Sequence, residues 1–213
     1  MHTIHAVLVE PVGCLAEFPA KEFDEIAARF FGDTSTHDSG SEAFWRSLDL
    51  LDRSGSSLEP AKETIARELE IQAIDQVELY EDVRPALSQL KEVRIQLLLA
   101  SSLSNRAARR FLERFSLEEV FTAVWDRDSA GGIKAMPLLK AMESASLRPE
   151  HVITLVDTVE GLEAARDLGT NSILMFTLNV LVCCVMALGI ARGDGLGVGG
   201  GDHFGVVARL PLS

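Results

Sequence analysis

Cysteine is scarce in this sequence, with three among 213 residues. Cys14 stands alone, while Cys183 and Cys184 are adjacent in the chain, and adjacent cysteines rarely form a bridge. The sequence also lacks a Cys-x-x-Cys pair and any Cys/His spacing typical of a zinc site. These absences exclude a disulfide-stapled scaffold and indicate a reducing, cytoplasmic compartment.

Basic residues are also few, because Lys and Arg total 20 against 32 Asp and Glu, a formal net charge of −12. An acidic chain repels phosphate backbones, so we expect no nucleic-acid partner. The first residues lack a basic segment followed by an apolar stretch, which predicts no signal peptide and a cytoplasmic location. Hydrophobic residues make up 47% of the chain, which is typical of a globular protein rather than a disordered one.

Short apolar runs alternate with stretches of helical periodicity along much of the chain. The apolar runs lie at residues 6–9, 93–100, 120–125, 152–156 and 173–176. Strands that alternate with helices predict an α/β fold with a doubly wound parallel sheet. The helical stretch after the first strand is too long for a crossover connection, which favours an inserted α-helical cap.

The predicted division of the chain follows from this pattern. Residues 1–15 and 92–176 form a Rossmann-like α/β core, residues 16–91 form the helical cap, and residues 177–213 form an apolar and then glycine-rich tail. Polar residues follow the first four predicted strands, namely Glu10, Ser101, Asp126 and Asp157. Because ligands bind at the carboxyl ends of the strands in such sheets, we expect a functional site there.

The order of these residues resembles that of the haloacid dehalogenase superfamily, in its β-phosphoglucomutase-like branch with a helical cap. The resemblance covers roughly residues 4–176. Residues 97–102, Leu-Leu-Leu-Ala-Ser-Ser, resemble the second motif of the family, and residues 132–137, Gly-Ile-Lys-Ala-Met-Pro, resemble the third. The most specific match is residues 152–169, which resemble the fourth motif and its Gly-hydrophobe-x-Ala-Ala-x-x-x-Gly helix.

The first motif departs from the family pattern, since Glu10-Pro11-Val12-Gly13-Cys14 stands where the family has Asp-x-Asp-Gly-Thr. Glu10 keeps the carboxylate but adds about 1.5 Å of reach, and a misplacement of about 1 Å can cost about 10²-fold in rate. Val12 cannot transfer a proton, which removes a general acid–base contribution of roughly 10²–10⁴. The departures predict that hydrolytic activity is weakened or lost.

The resemblance implies roles for the matching residues. Glu10 would be the nucleophile that attacks phosphorus, with Ser101 and Lys134 completing the catalytic group. Ser101, Ser102 and Lys134 would bind the phosphate. From the residues alone, the two serines could also cap the following helix, and Lys134 could be an ordinary surface lysine.

A metal ion is implied in the same way. Mg²⁺ would be held weakly by the carboxylates of Glu10 and Asp157 and by the backbone carbonyl of Val12. Asp157 could alternatively serve only as the N-cap of the next helix.

We therefore expect a haloacid dehalogenase-like hydrolase, ancestrally a Mg²⁺-dependent phosphatase that acts on a small phosphorylated metabolite. The alternative is a pseudoenzyme, a non-catalytic phosphate- or metal-binding or interaction module on the same fold. The sequence predicts neither the substrate nor the oligomeric state.

The end of the chain departs from the family. Residues 173–191 are apolar and just long enough to span a bilayer, so a tail anchor in the membrane is an alternative to a cytoplasmic protein. Residues 195–200 match Gly-x-Gly-x-x-Gly, but no strand–helix unit follows, and a flexible tail is the favoured interpretation. An aberrant gene model would also explain the change of composition near residue 176.

Overall fold

A five-stranded parallel sheet forms the centre of the molecule. The computed structural model describes residues 3–53 and 60–175. The sheet has the order β3-β2-β1-β4-β5, and its strands are β1 (Ala6–Val9), β2 (Gln96–Ala100), β3 (Ala123–Trp125), β4 (Val152–Val156) and β5 (Asn171–Leu174). Every pair of neighbouring strands is parallel. The predicted α/β doubly wound fold is confirmed.

Helices account for most of the remaining described chain. They are α1 (Pro11–Cys14), α2 (Ala20–Phe31), α3 (Gly40–Arg53), α4 (Pro60–Gln76), α5 (Val83–Glu92), α6 (Asn105–Phe115), α7 (Arg127–Ala130), α8 (Ala135–Ser144) and α9 (Val159–Asp167). Of these, α1 is a single turn with non-helical dihedral angles inside it. The helical stretch predicted between the first two strands corresponds to α2–α5.

Three of the predicted strands have different boundaries in the structure, and the fifth spans Asn171–Leu174 rather than residues 173–176. The second strand begins at Gln96 rather than at residue 93, because Arg94 adopts a left-handed conformation with φ of 62° that ends α5 and turns the chain. The third begins at Ala123 rather than at residue 120, since Val120 donates its N–H to the Leu117 carbonyl in a turn. Apolarity alone does not separate such turns from the strands that they precede.

The strand register explains why polar residues meet at one edge of the sheet. Val9 of β1 pairs with Leu99 of β2 and with Leu155 of β4. Glu10 follows Val9 directly, and Ser101 and Asp157 come two residues after its partners, so all three emerge at the carboxyl edge. Both faces of the sheet are buried. Val7 and Val9 of β1 face the apolar cluster that includes the helical insert, and Ala6 and Leu8 face a second apolar cluster that includes α8.

The helical insert leaves and re-enters the core at one place. Ala16 and Leu79 form an isolated antiparallel bridge, and the Tyr80 N–H donates to the Leu15 carbonyl at 3.0 Å. Within the insert α2 packs on α3, and α4 packs on α6 of the core. The division into core and cap stays a prediction, and this bridge marks where the two parts would separate.

No helix within residues 3–53 and 60–175 is long and apolar enough to cross a membrane. The segment predicted as a membrane anchor, residues 173–191, lies outside the described residues from 176 onward, as does the glycine-rich stretch at 195–200. Its first two residues, Ile173 and Leu174, belong to β5.

Candidate functional site

Glu10 lies at the carboxyl edge of the sheet, directly after β1, in contact with the loop that follows β2. Its Oε1 accepts a hydrogen bond from the Ser101 hydroxyl at 2.7 Å, and its Oε2 accepts one from the Ser102 N–H at 3.0 Å. Glu10 is 8% exposed, and both serines are buried. The structure thus brings together three of the predicted site residues, but it binds the two serines to the glutamate itself.

Burial dominates the protonation of Glu10. Desolvation raises the pKa of its carboxyl from 4.5 to about 8, and nearby Asp157 adds to this rise. The hydrogen bonds from Ser101, Ser102 and the Val12 backbone lower the pKa, but they offset the desolvation only in part. At neutral pH, Glu10 is therefore mostly a neutral carboxylic acid.

The conformation of the backbone turn after Glu10 explains why the first motif has a glycine at position 13. Val12 has φ −67° and ψ 121°, and Gly13 has φ 73° and ψ −23°, which is the dihedral pattern of a type II turn. The second of these positions requires a positive φ, and glycine adopts it without steric cost. The side chain of Val12 is completely buried in the main apolar cluster, so it presents no polar atom to the site.

Asp157 and the cap meet at the same turn. A methyl group built on Gly13 would lie 1.7 Å from Asp157 Oδ2 and 2.2 Å from the Ser41 hydroxyl oxygen. Ser41 lies in the first turn of α3, in the helical insert. The absence of a side chain at Gly13 therefore lets the cap approach the acidic end of β4.

Lys134 contacts the loop after β2 through its backbone N–H. Its N–H donates to the Ser102 hydroxyl at 2.7 Å, and its φ of 58° is a rare conformation outside glycine. Its Nζ donates to Asp49 Oδ1 of α3 at 2.5 Å. The predicted phosphate-binding lysine is thus ion-paired to the cap.

The helix-capping alternatives for three predicted site residues are wrong. Ser104, rather than Ser101 or Ser102, is the N-cap of α6 and accepts from the Ala107 N–H. Likewise Thr158, rather than Asp157, is the N-cap of α9.

Asp126, the polar residue that follows β3, has a structural role as a helix cap. Its side chain accepts from the N–H groups of Asp128 and Ser129 and caps α7. It therefore orders the loop beside the site.

The sequence did not reveal a buried ionic network beneath the cap. Arg127 is 9% exposed and pairs with Glu70 of α4, and it also donates to Glu63 at 3.1 Å and to the Ser102 carbonyl at 3.2 Å. Ser104 donates to the same Glu70 at 2.5 Å. Although burial opposes the charge, Glu70 and Glu63 raise the pKa of Arg127. The sequence shows the two acidic partners of Arg127 as glutamates seven residues apart on α4, Glu63 and Glu70. This spacing is equally typical of a solvent-exposed helix face, so it does not predict a buried network.

A cleft of about 970 Å³ lies between the edge of the sheet and the cap. Gly13, Asp157 and Thr158 line it from the core, and residues of the 37–49 segment line it from the cap. His37 is held there by Asp24, whose carboxylate bonds both the ring Nδ1 at 2.6 Å and the backbone N–H at 2.9 Å. The cleft is wide enough for a small metabolite.

The residues expected to hold Mg²⁺ do not fit that ion as they are arranged. Mg²⁺ requires near-octahedral oxygen coordination, usually with ionised carboxylates. Without a bound cation, burial raises the pKa of Glu10, and both of its oxygens accept hydrogen bonds from the loop after β2. In the described part of the chain no three Asp, Glu, His or Cys side chains form a group that could hold a metal ion.

The raised pKa of Glu10 predicts a pH dependence of stability. Because the native state binds this proton more tightly than the unfolded state, the stability contributed by neutral Glu10 is complete below about pH 4.5 and is lost as the pH rises toward 8. We expect Glu10→Gln to remove this dependence, since glutamine preserves the shape without titrating. Urea unfolding between pH 5.5 and 7.5 should show the free energy of unfolding of the native chain falling, relative to that of Glu10→Gln, by about 1 kcal/mol per pH unit. Parallel curves would contradict the buried neutral carboxyl.

Comparison with known proteins agrees with this architecture. The family of haloacid dehalogenase-like hydrolases matches the chain over residues 22–175. A phosphorylated carbohydrates phosphatase of Thermotoga maritima is 36% identical over 93 residues, which are 43% of this chain and 43% of that protein. The chain thus matches less than half the length of this curated relative.

Solved structures show the same fold at low sequence identity. CbbY from Rhodobacter sphaeroides, in complex with phosphate, has a TM-score of 0.61 and 19% identity over 81% of this chain and 86% of that chain. A haloacid dehalogenase-like hydrolase from Streptococcus pneumoniae has a TM-score of 0.62 and 17% identity over 82% and 85%.

Proposed function

The chain belongs to the haloacid dehalogenase-like hydrolase family, and from this premise we propose that it carries the site of a phosphatase for a small phosphorylated carbohydrate, with its hydrolytic activity strongly weakened or lost. The substrate class is that of the Thermotoga maritima relative, a phosphatase of phosphorylated carbohydrates. The net charge of −12 supports a small phosphorylated molecule rather than a nucleic acid as the partner.

The loss of activity is supported above all by the state of Glu10. A carboxylate must be ionised to attack phosphorus, and a pKa of about 8 leaves only about a tenth of Glu10 ionised at pH 7. The groups proposed to bind the phosphoryl oxygens, Ser101 and Ser102, donate to Glu10 instead. A substrate phosphate that accepted from the Ser101 hydroxyl or the Ser102 N–H would have to replace these bonds.

Two further contacts support the same conclusion. Val12 replaces the acid–base residue with a buried apolar side chain, so no proton can be delivered from that position to the leaving oxygen. Lys134, proposed to neutralise charge on the phosphate, pairs with Asp49. Binding of a phosphate at Lys134 would compete with this ion pair.

Restoring the two acidic positions tests the proposal. We expect the native chain to turn over p-nitrophenyl phosphate with Mg²⁺ at a rate near background. Glu10→Asp combined with Val12→Asp should raise turnover by at least about 10²-fold and make it sensitive to EDTA, because it returns a nucleophile of the expected length and an acid–base group. Adding Asp157→Ala to the double variant should abolish the gain.

Folding has to be controlled in this experiment, because Val12→Asp places a carboxyl in the apolar cluster. Circular dichroism and thermal melting should confirm a folded double variant, and Glu10→Asp alone, which leaves the cluster intact, should give a smaller gain. A native chain with turnover as fast as the restored variant would overturn the loss of activity. A folded double variant without turnover would favour the non-catalytic binding module.

Mg²⁺ remains part of this proposal only for the restored site, where two aspartates and Asp157 would supply the carboxylates. The cytoplasmic location and the division into core, cap and tail remain predictions.

A further inference from the structure

The cleft carries an excess of negative charge, which is unusual for the binding of an anionic substrate. Five carboxylates line it, from Glu17, Asp38, Glu42, Asp49 and Asp157. The cationic side chain among the lining residues is Arg46, which is already paired with Asp33 through bonds of 2.6 and 2.7 Å. Lys134 balances the charge of Asp49, but the carboxylates that line the cleft still outnumber its cationic side chains.

The acidic residues are accompanied by buried polar groups. Ser41 is 4% exposed and lines the cleft. Trp45 is 7% exposed and also lines the cleft, and its indole N–H has no acceptor among the described residues. A buried donor without an acceptor is costly, so a ligand in the cleft that offers an oxygen to this N–H would gain a favourable hydrogen bond.

These groups share one face of α3. Ser41, Trp45 and Asp49 are four residues apart in sequence, a spacing that aligns side chains along a helix. All three line the same cleft. The face therefore offers a hydroxyl, an aromatic ring with an N–H donor, and a carboxylate in a row.

We propose that the cleft selects a carbohydrate that bears a positively charged amine. The proposal deepens the proposed function and rests on it for the carbohydrate. Ser41 and Trp45 would bond to hydroxyl oxygens of the sugar, and the carboxylates would attract the ammonium group, with Asp38 and Glu42 at the exposed rim. The ammonium also offsets the repulsion that the acidic cleft exerts on a phosphate group of the same ligand.

Binding measurements on the native full chain test this without requiring turnover. Isothermal titration in EDTA should compare glucosamine with glucose, and glucosamine 6-phosphate with glucose 6-phosphate. We expect the amine to tighten binding by about 10-fold in both pairs, the gain typical of one charge-assisted hydrogen bond. The preference should weaken at high ionic strength, since salt screens the rim carboxylates.

Variants separate the two contributions. Asp38→Asn with Glu42→Gln should reduce the amine preference several-fold, whereas the matched control Glu113→Gln with Glu118→Gln, at exposed positions away from the cleft, should leave it unchanged. Ser41→Ala should weaken all four sugars by a similar factor and preserve the ratio within each pair.

Equal affinities within both pairs, or no saturable binding of any of the four sugars, would overturn the inference. An amine preference that survives in the Asp38→Asn, Glu42→Gln variant would overturn the assignment to the cleft. Equal affinities within both pairs would leave the proposed function standing, which fails instead when the folded restored-motif variant shows no turnover.

Discussion

Replacing Arg127 with methionine is expected to lower the free energy of unfolding by about 3–5 kcal/mol, because it leaves a buried carboxylate without its counter-charge. Glu70 is 4% exposed and would keep only the hydrogen bonds from Ser104. The guanidinium also bonds the Ser102 carbonyl, so its loss loosens the loop that holds Glu10. The buried network thereby links the cap to the site.

Chemical denaturation of the full chain measures this effect. Arg106→Met is the matched control, because Arg106 pairs with Glu68 of the same helix α4, but the two side chains are 63% and 46% exposed. Exposed ion pairs contribute about 0–1 kcal/mol, so the control should be nearly neutral. Glu70→Met combined with Arg127→Met should recover part of the loss, since it removes both charges. Equal effects of the Arg127 and Arg106 variants would contradict the buried network.

Gly13→Ala is the second change with a large expected effect. The new methyl group would lie 1.7 Å from Asp157 Oδ2 and 2.2 Å from the Ser41 oxygen, so the turn, the end of β4 and the cap cannot keep their present positions. The positive φ adds backbone strain of about 1–2 kcal/mol, and the overpacking adds about 1–3 kcal/mol more. The same displacement should weaken any ligand that binds between Asp157 and α3.

Gly32→Ala isolates the backbone contribution. Gly32 ends α2 with φ of 69°, close to the 73° of Gly13, but a methyl group there would meet nothing within 4 Å. Denaturation should show Gly32→Ala costing only the strain of about 1–2 kcal/mol. If Gly13→Ala cost no more than this control, the close approach of Ser41 and Asp157 to the turn would be refuted.

The two predictions concern two of the contacts that fix the cap to the core. One is electrostatic, through α4 and the loop after β2, and the other is steric, through α3 and the turn after β1. Lys134 and Asp49 add an ion pair between α3 and the start of α8. The cap is thus held in place at three points around the site.

The fold class and the carboxyl ends of the first four strands could be predicted from the sequence. Runs such as residues 6–9 and 152–156 are short, apolar and β-branched, and their length and the turn residues beside them favour strands over buried helical segments. The register then follows, and it brings Glu10, Ser101 and Asp157 to one edge. The departures of Glu10 and Val12 from the family pattern were also visible without a structure.

Only the tertiary structure decided what these residues do to one another. The pKa of Glu10 depends on burial, which is produced by residues about 90 positions away and leaves no local signal. The pairing of Lys134 with Asp49 joins positions 85 residues apart, and the Glu70–Arg127 network joins positions 57 apart. Hydrogen bonds and charges act over a few ångströms in space, so their partners are set by how the cap packs on the sheet rather than by sequence spacing.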